Sequence, residues 1–235
     1  MKLLILAGGF GTRLQSVVTQ VPKALAPVGD VPFLYLQIEN WKSQGLRSFV
    51  FLLHHQADLI INFLEFEKTK LLKDCEVAWV IEPKPMDTGG AVAYALKQLE
   101  LTGDFLLTNA DTWLGTGIKT LEQTPVPSMA VLRLNDSARY GQVQFDDKLK
   151  VTSFIEKSNT QKMGWISVGL CHLHSNFFRY WDGYPFSLER ILFKLLLDER
   201  ALNAVALKTN FIDIGIPADY HRFCIWIENN REGSL

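Results

Sequence analysis

The feature that constrains this chain most is an apolar run, Leu3-Leu4-Ile5-Leu6-Ala7, that ends in Gly8-Gly9-Phe10-Gly11-Thr12-Arg13-Leu14, with Pro22-Lys23 following. A strand that stops at closely spaced glycines lets backbone N–H groups approach an anion without interference from Cβ atoms, and a nearby guanidinium and ammonium neutralise phosphate charge. A nucleoside triphosphate is the ligand expected of such a loop. Two familiar phosphate loops do not fit. The dinucleotide fingerprint requires a third glycine where Leu14 stands, and the P-loop requires Gly-Lys-Ser/Thr where Gly11-Thr12-Arg13 stands.

The rest of the chain alternates strand-like and helix-like segments. Apolar runs at Leu3 to Ala7, Ser48 to Leu53, Glu76 to Ile81, Phe105 to Thr108 and Met129 to Leu134 read as buried strands of a mostly parallel sheet. Helical spacing falls between them, at Leu34 to Ser43, Ala57 to Glu67 and Gly90 to Leu99, with Gly45 suited to the C′ position of the first. This is the doubly wound, Rossmann-like α/β pattern, a sheet flanked by helices. Beyond about Ala138 the texture changes: Gly141 to Phe145, a turn at Asp146-Asp147 and Leu149 to Glu156 predict a small antiparallel hairpin, followed by a strand at Ile166 to Leu173. Helices at Ser187 to Leu202 and Pro217 to Asn229 close the chain. One domain over 1–235 is expected, with a nucleotide-binding half at about 1–137 and a sugar-phosphate half at about 138–235. Ligands of open α/β sheets bind beyond the carboxyl ends of the strands, so the glycine loop, Asn109 and Asp111 are expected in one cleft. The stretch from Gly8 to Leu34 is long for a connection that usually spans about 2–6 residues, as befits a functional loop.

Charge and cysteine content exclude several classes. The net charge is −1 with no block of like charges, so neither a nucleic-acid stripe nor a polybasic membrane patch is expected, and anionic substrates must be met by local cations. Cys75, Cys171 and Cys224 are odd in number and widely spaced, as for free thiols in a reducing compartment. No run of about 18 apolar residues offers a membrane span, and the cytoplasm is the expected location. His54-His55 and Cys171-His172-Leu173-His174 lack the ligand number and spacing of a zinc site. The surface leaves a homo-oligomer open.

Four further motifs follow the glycine loop: Thr88-Gly89-Gly90-Ala91, Asn109-Ala110-Asp111, Phe154-Ile155-Glu156-Lys157 and Phe211-Ile212-Asp213-Ile214-Gly215 with Pro217-Ala218-Asp219-Tyr220 after it. Together with Gly8 to Leu14 and Pro22-Lys23 they resemble the signature of the sugar-phosphate nucleotidyltransferases over almost the whole chain. Within that family the wording is most similar to guanylyltransferases acting on D-glycero-α-D-manno-heptose 1-phosphate. The resemblance implies attack of a sugar 1-phosphate oxygen on the α-phosphorus of a nucleoside triphosphate, GTP by this likeness, yielding a nucleotide sugar and pyrophosphate. No enzyme nucleophile is needed, because a phosphate monoester with a second pKa near 6 is mostly dianionic at neutral pH. Catalysis of this kind rests on in-line positioning and charge neutralisation.

By the same resemblance, Arg13 and Lys23 clasp the triphosphate, and Asp111 and Asp213 hold Mg²⁺. Leu6, Ala7, Gly8, Gly9, Gly11, Thr12, Thr88, Gly89, Gly90 and Asn109 surround the nucleotide, while Tyr140, Gly141, Glu156, Lys157, Ser167 and Gly169 meet the sugar phosphate. Ordinary alternatives exist for each motif. Asp111 could cap a turn, Asp213 could be arginine-paired, Glu156-Lys157 could be a solvated pair of which only one member reaches the cleft, and the Gly89-Gly90 pair could serve close packing. Three departures from the family wording bear on substrate choice: Asp87 where glycine is frequent, Ala110 where Asn-Gly-Asp is common, and Ser167 where asparagine is usual. Two other functions compete, a uridylyltransferase acting on another sugar 1-phosphate and a non-catalytic sugar-nucleotide sensor. Retention of Arg13, Lys23, Asp111 and Asp213 together favours the enzyme.

Overall fold

A computed structural model describes residues 1–155 and 163–232. Its elements, in chain order, are β1 (Lys2–Leu6), β2 (Pro27–Val28), β3 (Val31–Pro32), α1 (Phe33–Ser43), β4 (Ser48–Leu53), α2 (Ala57–Glu67), β5 (Glu76–Ile81), α3 (Asp87–Gln98), β6 (Asp104–Asn109), β7 (Thr112–Leu114), α4 (Ile118–Glu122), β8 (Ser128–Leu134), β9 (Gln142–Phe145), β10 (Val151–Ile155), β11 (Gly164–His174), α5 (Phe193–Asp198), β12 (Asn203–Ala206), β13 (Phe211–Asp213) and α6 (Pro217–Glu232).

Parallel pairing joins β1 to β4 and β6, and β4 to β5, so β1 lies in the middle of the parallel region with its glycine loop between two neighbours. The order β5-β4-β1-β6 continues through β11, which runs antiparallel to both β6 and β8. The run at Met129 to Leu134 is therefore not beside its parallel fellows: β11 intervenes, and the parallel partner of β8 is the short β12. The Glu76 to Ile81 run also differs from the buried strand expected. As β5 it is the sheet edge, and Ile81 is 47% exposed.

Alternation along β1 explains the layers. Leu3 and Ile5 pack with Leu34, Ile38 and Trp41 of α1 and Ile60 and Leu64 of α2, while Leu4 packs with Val92 and Ala95 of α3 on the other face. A third cluster joins Leu14 and Val18 of the glycine loop to Phe33, Trp113, Ile212, Ile214 and Phe223. That cluster fixes the long loop against β7, β13 and α6, so the loop is shaped by packing and not merely tethered at its ends.

The helix expected over Ser187 to Leu202 is shorter. Ser187 caps its start by accepting the Arg190 N–H at 3.2 Å, Leu188–Leu192 form a π turn, and α5 ends at Asp198, after which Arg200 adopts a positive φ of 51°. In the hairpin, Asp146 Oδ1 accepts the N–H groups of Lys148 and Lys150, each at 2.9 Å, forming the turn between β9 and β10. No helix among the described residues is long and apolar enough to cross a membrane.

Candidate active site

Two cavities meet at the carboxyl ends of β1 and β6. The first, about 430 Å³, is lined by Leu6, Ala7, Gly8, Gly9 and Gly11, by Lys23, and by Thr88, Asn109 and Asp111. The second, about 570 Å³, is lined by Arg13, Tyr140, Gly141, Ser167, Gly169 and Asp213. Asp87, Asn109, Asp111 and Glu189 border both, so the fold places two compartments side by side with Asp111 at the wall between them.

The glycines of the loop have separable reasons. A Cβ on Gly8 would stand 3.0 Å from Glu82 Oε1 and 3.1 Å from His54, whereas Gly9 faces open space. Gly11 takes φ +62°, a conformation that costs most residues a steric penalty. Thr12 lines neither cavity; its carbonyl accepts the Gln15 N–H at 3.4 Å within the turn that carries Arg13. Arg13 itself reaches the second cavity, not the first.

The two acids converge through a short ladder. β7 and β13 pair antiparallel with Asp213 opposite Thr112, and the Ile214 N–H donates to the Asp111 carbonyl at 3.0 Å. Lys23 Nζ donates to Asp111 Oδ2 at 2.5 Å. The Gly215 N–H donates to Asp213 Oδ1 at 2.7 Å, and a Cβ on Gly215 would lie 2.7 Å from that oxygen and 3.0 Å from Lys23 Nζ. The missing methyl group is therefore what lets ammonium and carboxylate share this corner. Burial first, and the Asp111 charge second, push the Asp213 carboxyl above the ordinary aspartate range, with Lys23, the Gly215 N–H and Arg13 pulling it back.

These donors fit a divalent cation. Two carboxylates, the charge of one close enough to raise the proton affinity of the other, form a site with an excess of negative charge, and an ammonium already sits on Asp111. Among the described residues no group of three or more His, Cys, Asp or Glu side chains is arranged to hold a metal. A hard cation bound by one or two protein carboxylates, with substrate phosphates completing its shell, matches the ordinary habit of Mg²⁺.

The Thr88 motif divides. Thr88 lines the first cavity, donates to Glu189 Oε2 at 2.7 Å and accepts the Leu188 N–H at 2.8 Å. Gly89 and Gly90 line neither cavity and belong to the first turn of α3, where their N–H groups donate to the Phe186 carbonyl at 2.9 and 3.1 Å. A Cβ on Gly89 would stand 2.2 Å from the Phe186 ring, so Gly89 allows close packing of α3 against that ring. Asp87, one of the departures from the family wording, adopts φ 58°, and its Oδ1 accepts the Thr88 N–H at 2.7 Å. Aspartate tolerates that left-handed conformation better than most residues.

On the second cavity, the Tyr140 ring packs edge-on against Phe211 at 5.2 Å, and its hydroxyl accepts from Arg139 at 3.1 Å. Arg139 also pairs with Asp219, which Arg222 contacts at 3.1 Å. Gly169 sits where the β11–β8 register shifts, at φ +75°, and a Cβ there would fall 2.3 Å from Asn109 Nδ2. The bulge thus gives the Asn109 side chain its space. Glu156 and Lys157 lie outside the described residues.

Two acids escaped the sequence reading. Glu82, only 8% exposed, lines the first cavity; its Oε2 accepts the Met86 N–H at 2.8 Å, and burial pushes its carboxyl up. Glu189 borders both cavities and accepts the hydroxyls of Thr88 and Ser187 at 2.7 and 2.9 Å. Glu189 belongs to no glycine-rich or strand-end motif, and Glu82, although it directly follows β5, is one polar residue in a connecting segment, so only the fold reveals their places at the cavities.

A phosphate-style glycine loop on the central strand of a doubly wound sheet, beside paired acids and basic groups at the mouth of two joined cavities, defines a nucleotide-dependent transferase. The chain belongs to the nucleotidyl transferase family, whose model matches residues 2–228. It is 32% identical over 231 residues to the D-glycero-alpha-D-manno-heptose 1-phosphate guanylyltransferase of Campylobacter jejuni, covering 96% of this chain and 99% of that enzyme. It is 31% identical to a probable mannose-1-phosphate guanylyltransferase of Oryza sativa, spanning 63% of the rice protein's length. Among solved structures, HddC from Yersinia pseudotuberculosis superposes with a TM-score of 0.83 at 32% identity, over 96% of this chain and 99% of that one. The same protein complexed with GMP-PN gives 0.81 at 31% identity, with the same coverage.

Proposed function

We propose that this protein is a guanylyltransferase that joins GTP to D-glycero-α-D-manno-heptose 1-phosphate, releasing pyrophosphate, with Mg²⁺ as its cation. The observation that carries the reading is the convergence of Asp111, Asp213 and Lys23 at the boundary between two cavities, one built on the glycine loop. A relative named for the same base and the same sugar phosphate, and a structural neighbour complexed with GMP-PN, each matching over nearly the full chain, support the substrate pair.

In this reading residues 1–137 supply most of the nucleotide site and 138–235 most of the sugar-phosphate site, with Glu189 crossing to the first and Arg13 to the second. The backbone N–H groups of Gly8 to Gly11 and the side chain of Lys23 receive the triphosphate. Glu82 offers a buried acceptor to the base. Guanine presents an N1–H and an amino group together, a donor pair that suits a carboxylate better than the single ring N–H of uracil. Tyr140, Gly141, Ser167 and Gly169 border the sugar, and Arg13 faces its phosphate, holding the attacking oxygen in line with the α-phosphorus. Asp111 and Asp213 would hold Mg²⁺, which supplies charge neutralisation for the α-phosphate and the departing pyrophosphate. Lys23 exchanges its carboxylate contact for phosphate as the substrate enters. The free thiols of Cys75, Cys171 and Cys224 suit the cytoplasm.

Pyrophosphate release from each of the four nucleoside triphosphates, paired with heptose, mannose and glucose 1-phosphates in the presence of Mg²⁺, tests the assignment. GTP with heptose 1-phosphate is expected to turn over fastest. Preference for UTP would overturn the base, preference for mannose would overturn the sugar, and absence of turnover with every pair would overturn the catalytic reading.

A further inference from the structure

Behind the acidic corner, α1 and its C-terminal cap present three amide side chains, one or two turns apart, to the backbone of β7 and the residues flanking it. Gln37 Nε2 donates to the Thr112 carbonyl at 2.9 Å and approaches the Asn109 carbonyl at 3.4 Å. Asn40 Nδ2 donates to the Leu114 carbonyl at 2.6 Å, and Gln44 bridges the Gly115 carbonyl, at 3.4 Å, and the Ile118 N–H, at 3.1 Å. Thr112 and Leu114 alternate along β7, so their carbonyls leave by the same edge, opposite the partner strand β13. The helix thus stands where a third strand would be.

We infer that Gln37 is a positioning residue for the cation site: it clamps the carbonyls on either side of Asp111 and so sets where that carboxylate points. The inference rests on the reading of Asp111 and Asp213 as cation ligands. Three features single out Gln37 from a helix side chain that merely packs. It is 1% exposed, in a helix face otherwise filled by Leu34, Ile38 and Trp41. Its Oε1 is buried without a hydrogen-bond partner among the described residues, a cost that an apolar residue of similar volume would avoid. Its two acceptors, Asn109 O and Thr112 O, flank the two residues Ala110 and Asp111, so the turn bearing the acid is held at both ends. A lone pair-bearing oxygen facing those carbonyls would repel them, which fixes the amide orientation.

Outer partners that orient metal-binding carboxylates typically govern affinity by about 10–100-fold. The test is Mn²⁺ binding, followed by electron paramagnetic resonance, to the full chain with a non-hydrolysable GTP analogue present. Gln37→Met keeps the volume and removes both donors; it is expected to weaken Mn²⁺ by about tenfold or more and to raise the Mg²⁺ concentration needed for half-maximal turnover. Asn40→Leu removes the next clamp, at Leu114, and is expected to lower the melting temperature while leaving Mn²⁺ affinity within about twofold of the parent, since it lies beyond the reach of the metal's outer partners. Gln37→Met binding Mn²⁺ as the parent does, or Asn40→Leu weakening it equally, would overturn the inference. If Gln37→Met does not fold, Gln37→Asn, which keeps a buried amide but withdraws it by one methylene, is read by the same two criteria. Asp111→Asn and Asp213→Asn run alongside: parent-like Mn²⁺ binding in both would sink the cation reading itself, whereas loss in those two with retention in the Gln37 variants would sink only the role of Gln37.

Discussion

Asp213 shows how a single residue records the demand of a site against the interest of the fold. Burial and the neighbouring Asp111 charge raise its carboxyl above the ordinary aspartate range, so without a cation the folded state binds its proton more tightly than the unfolded chain does. Stability of the cation-free protein is therefore lost as pH rises from about 3.9 through the raised folded value. Asp213→Asn removes the charge that causes this. The variant is expected to melt higher than the parent at neutral pH without Mg²⁺, with the difference closing in acid, while turnover falls by about a hundredfold or more, the scale of losing a preorganised electrostatic partner. Calorimetry at two pH values and a pyrophosphate assay check both halves, and a variant that melts lower at neutral pH would contradict the first. Glu82 makes a second case. Its raised carboxyl begins to protonate at a higher pH than an ordinary glutamate, and a protonated acid loses an acceptor for the base. The KM for GTP is expected to climb as pH falls through that raised value, and Glu82→Gln to flatten the profile at a KM about tenfold above the parent's neutral-pH value, in keeping with a charge-assisted bond.

At the scale of elements, what the sequence made legible was what periodicity and turn chemistry control. The limits of β4, β5 and α2 coincide with their apolar runs, and the glycine loop announces β1. The short pieces β7 and β12 were not legible, because three or four residues carry no periodic signal and each is a strand only through its partner. Of the four residues expected at the catalytic centre, Asp111 and Asp213 stand at strand ends, Arg13 in the glycine loop and Lys23 in the Pro22-Lys23 motif beyond it, all places that the sequence marks. Glu82 and Gln37 are ordinary polar residues until the fold buries them. Gly89 falls between: a glycine pair at a helix start is visible, but whether it faces a ligand or a ring depends on Phe186, nearly a hundred positions on. Gly89→Ala is expected to destabilise by about 1–3 kcal/mol through overpacking, measured by denaturant unfolding. If the ring is the cause, the double variant Gly89→Ala/Phe186→Leu recovers most of that loss; if Gly89 instead serves the base, the double variant stays unable to bind GTP.

For the molecule as a whole, the consequential feature is that two cavities, each bordered by a basic side chain, share a wall in a protein of net charge −1. Arg13 and Lys23 are divided between the compartments, and Asp111 stands at their junction. Filling both with phosphates brings like charges together around a pair of carboxylates, which disfavours the second ligand unless a cation intervenes. A non-hydrolysable GTP analogue and the sugar 1-phosphate are therefore expected to oppose one another's binding in chelator, and to assist one another with Mg²⁺. Allosteric coupling is typically worth about 1–3 kcal/mol, large enough for titration calorimetry to resolve as a change in Kd of roughly fivefold or more in each direction. Reciprocity supplies an internal check, because the factor by which the analogue changes sugar-phosphate affinity must equal the factor in the reverse titration. In Asp111→Asn the Mg²⁺-dependent assistance is expected to vanish while each ligand still binds alone, since the wall loses its charge but the cavities keep their linings. Independent binding of the two ligands with and without Mg²⁺ would mean that the cation does not lie between them.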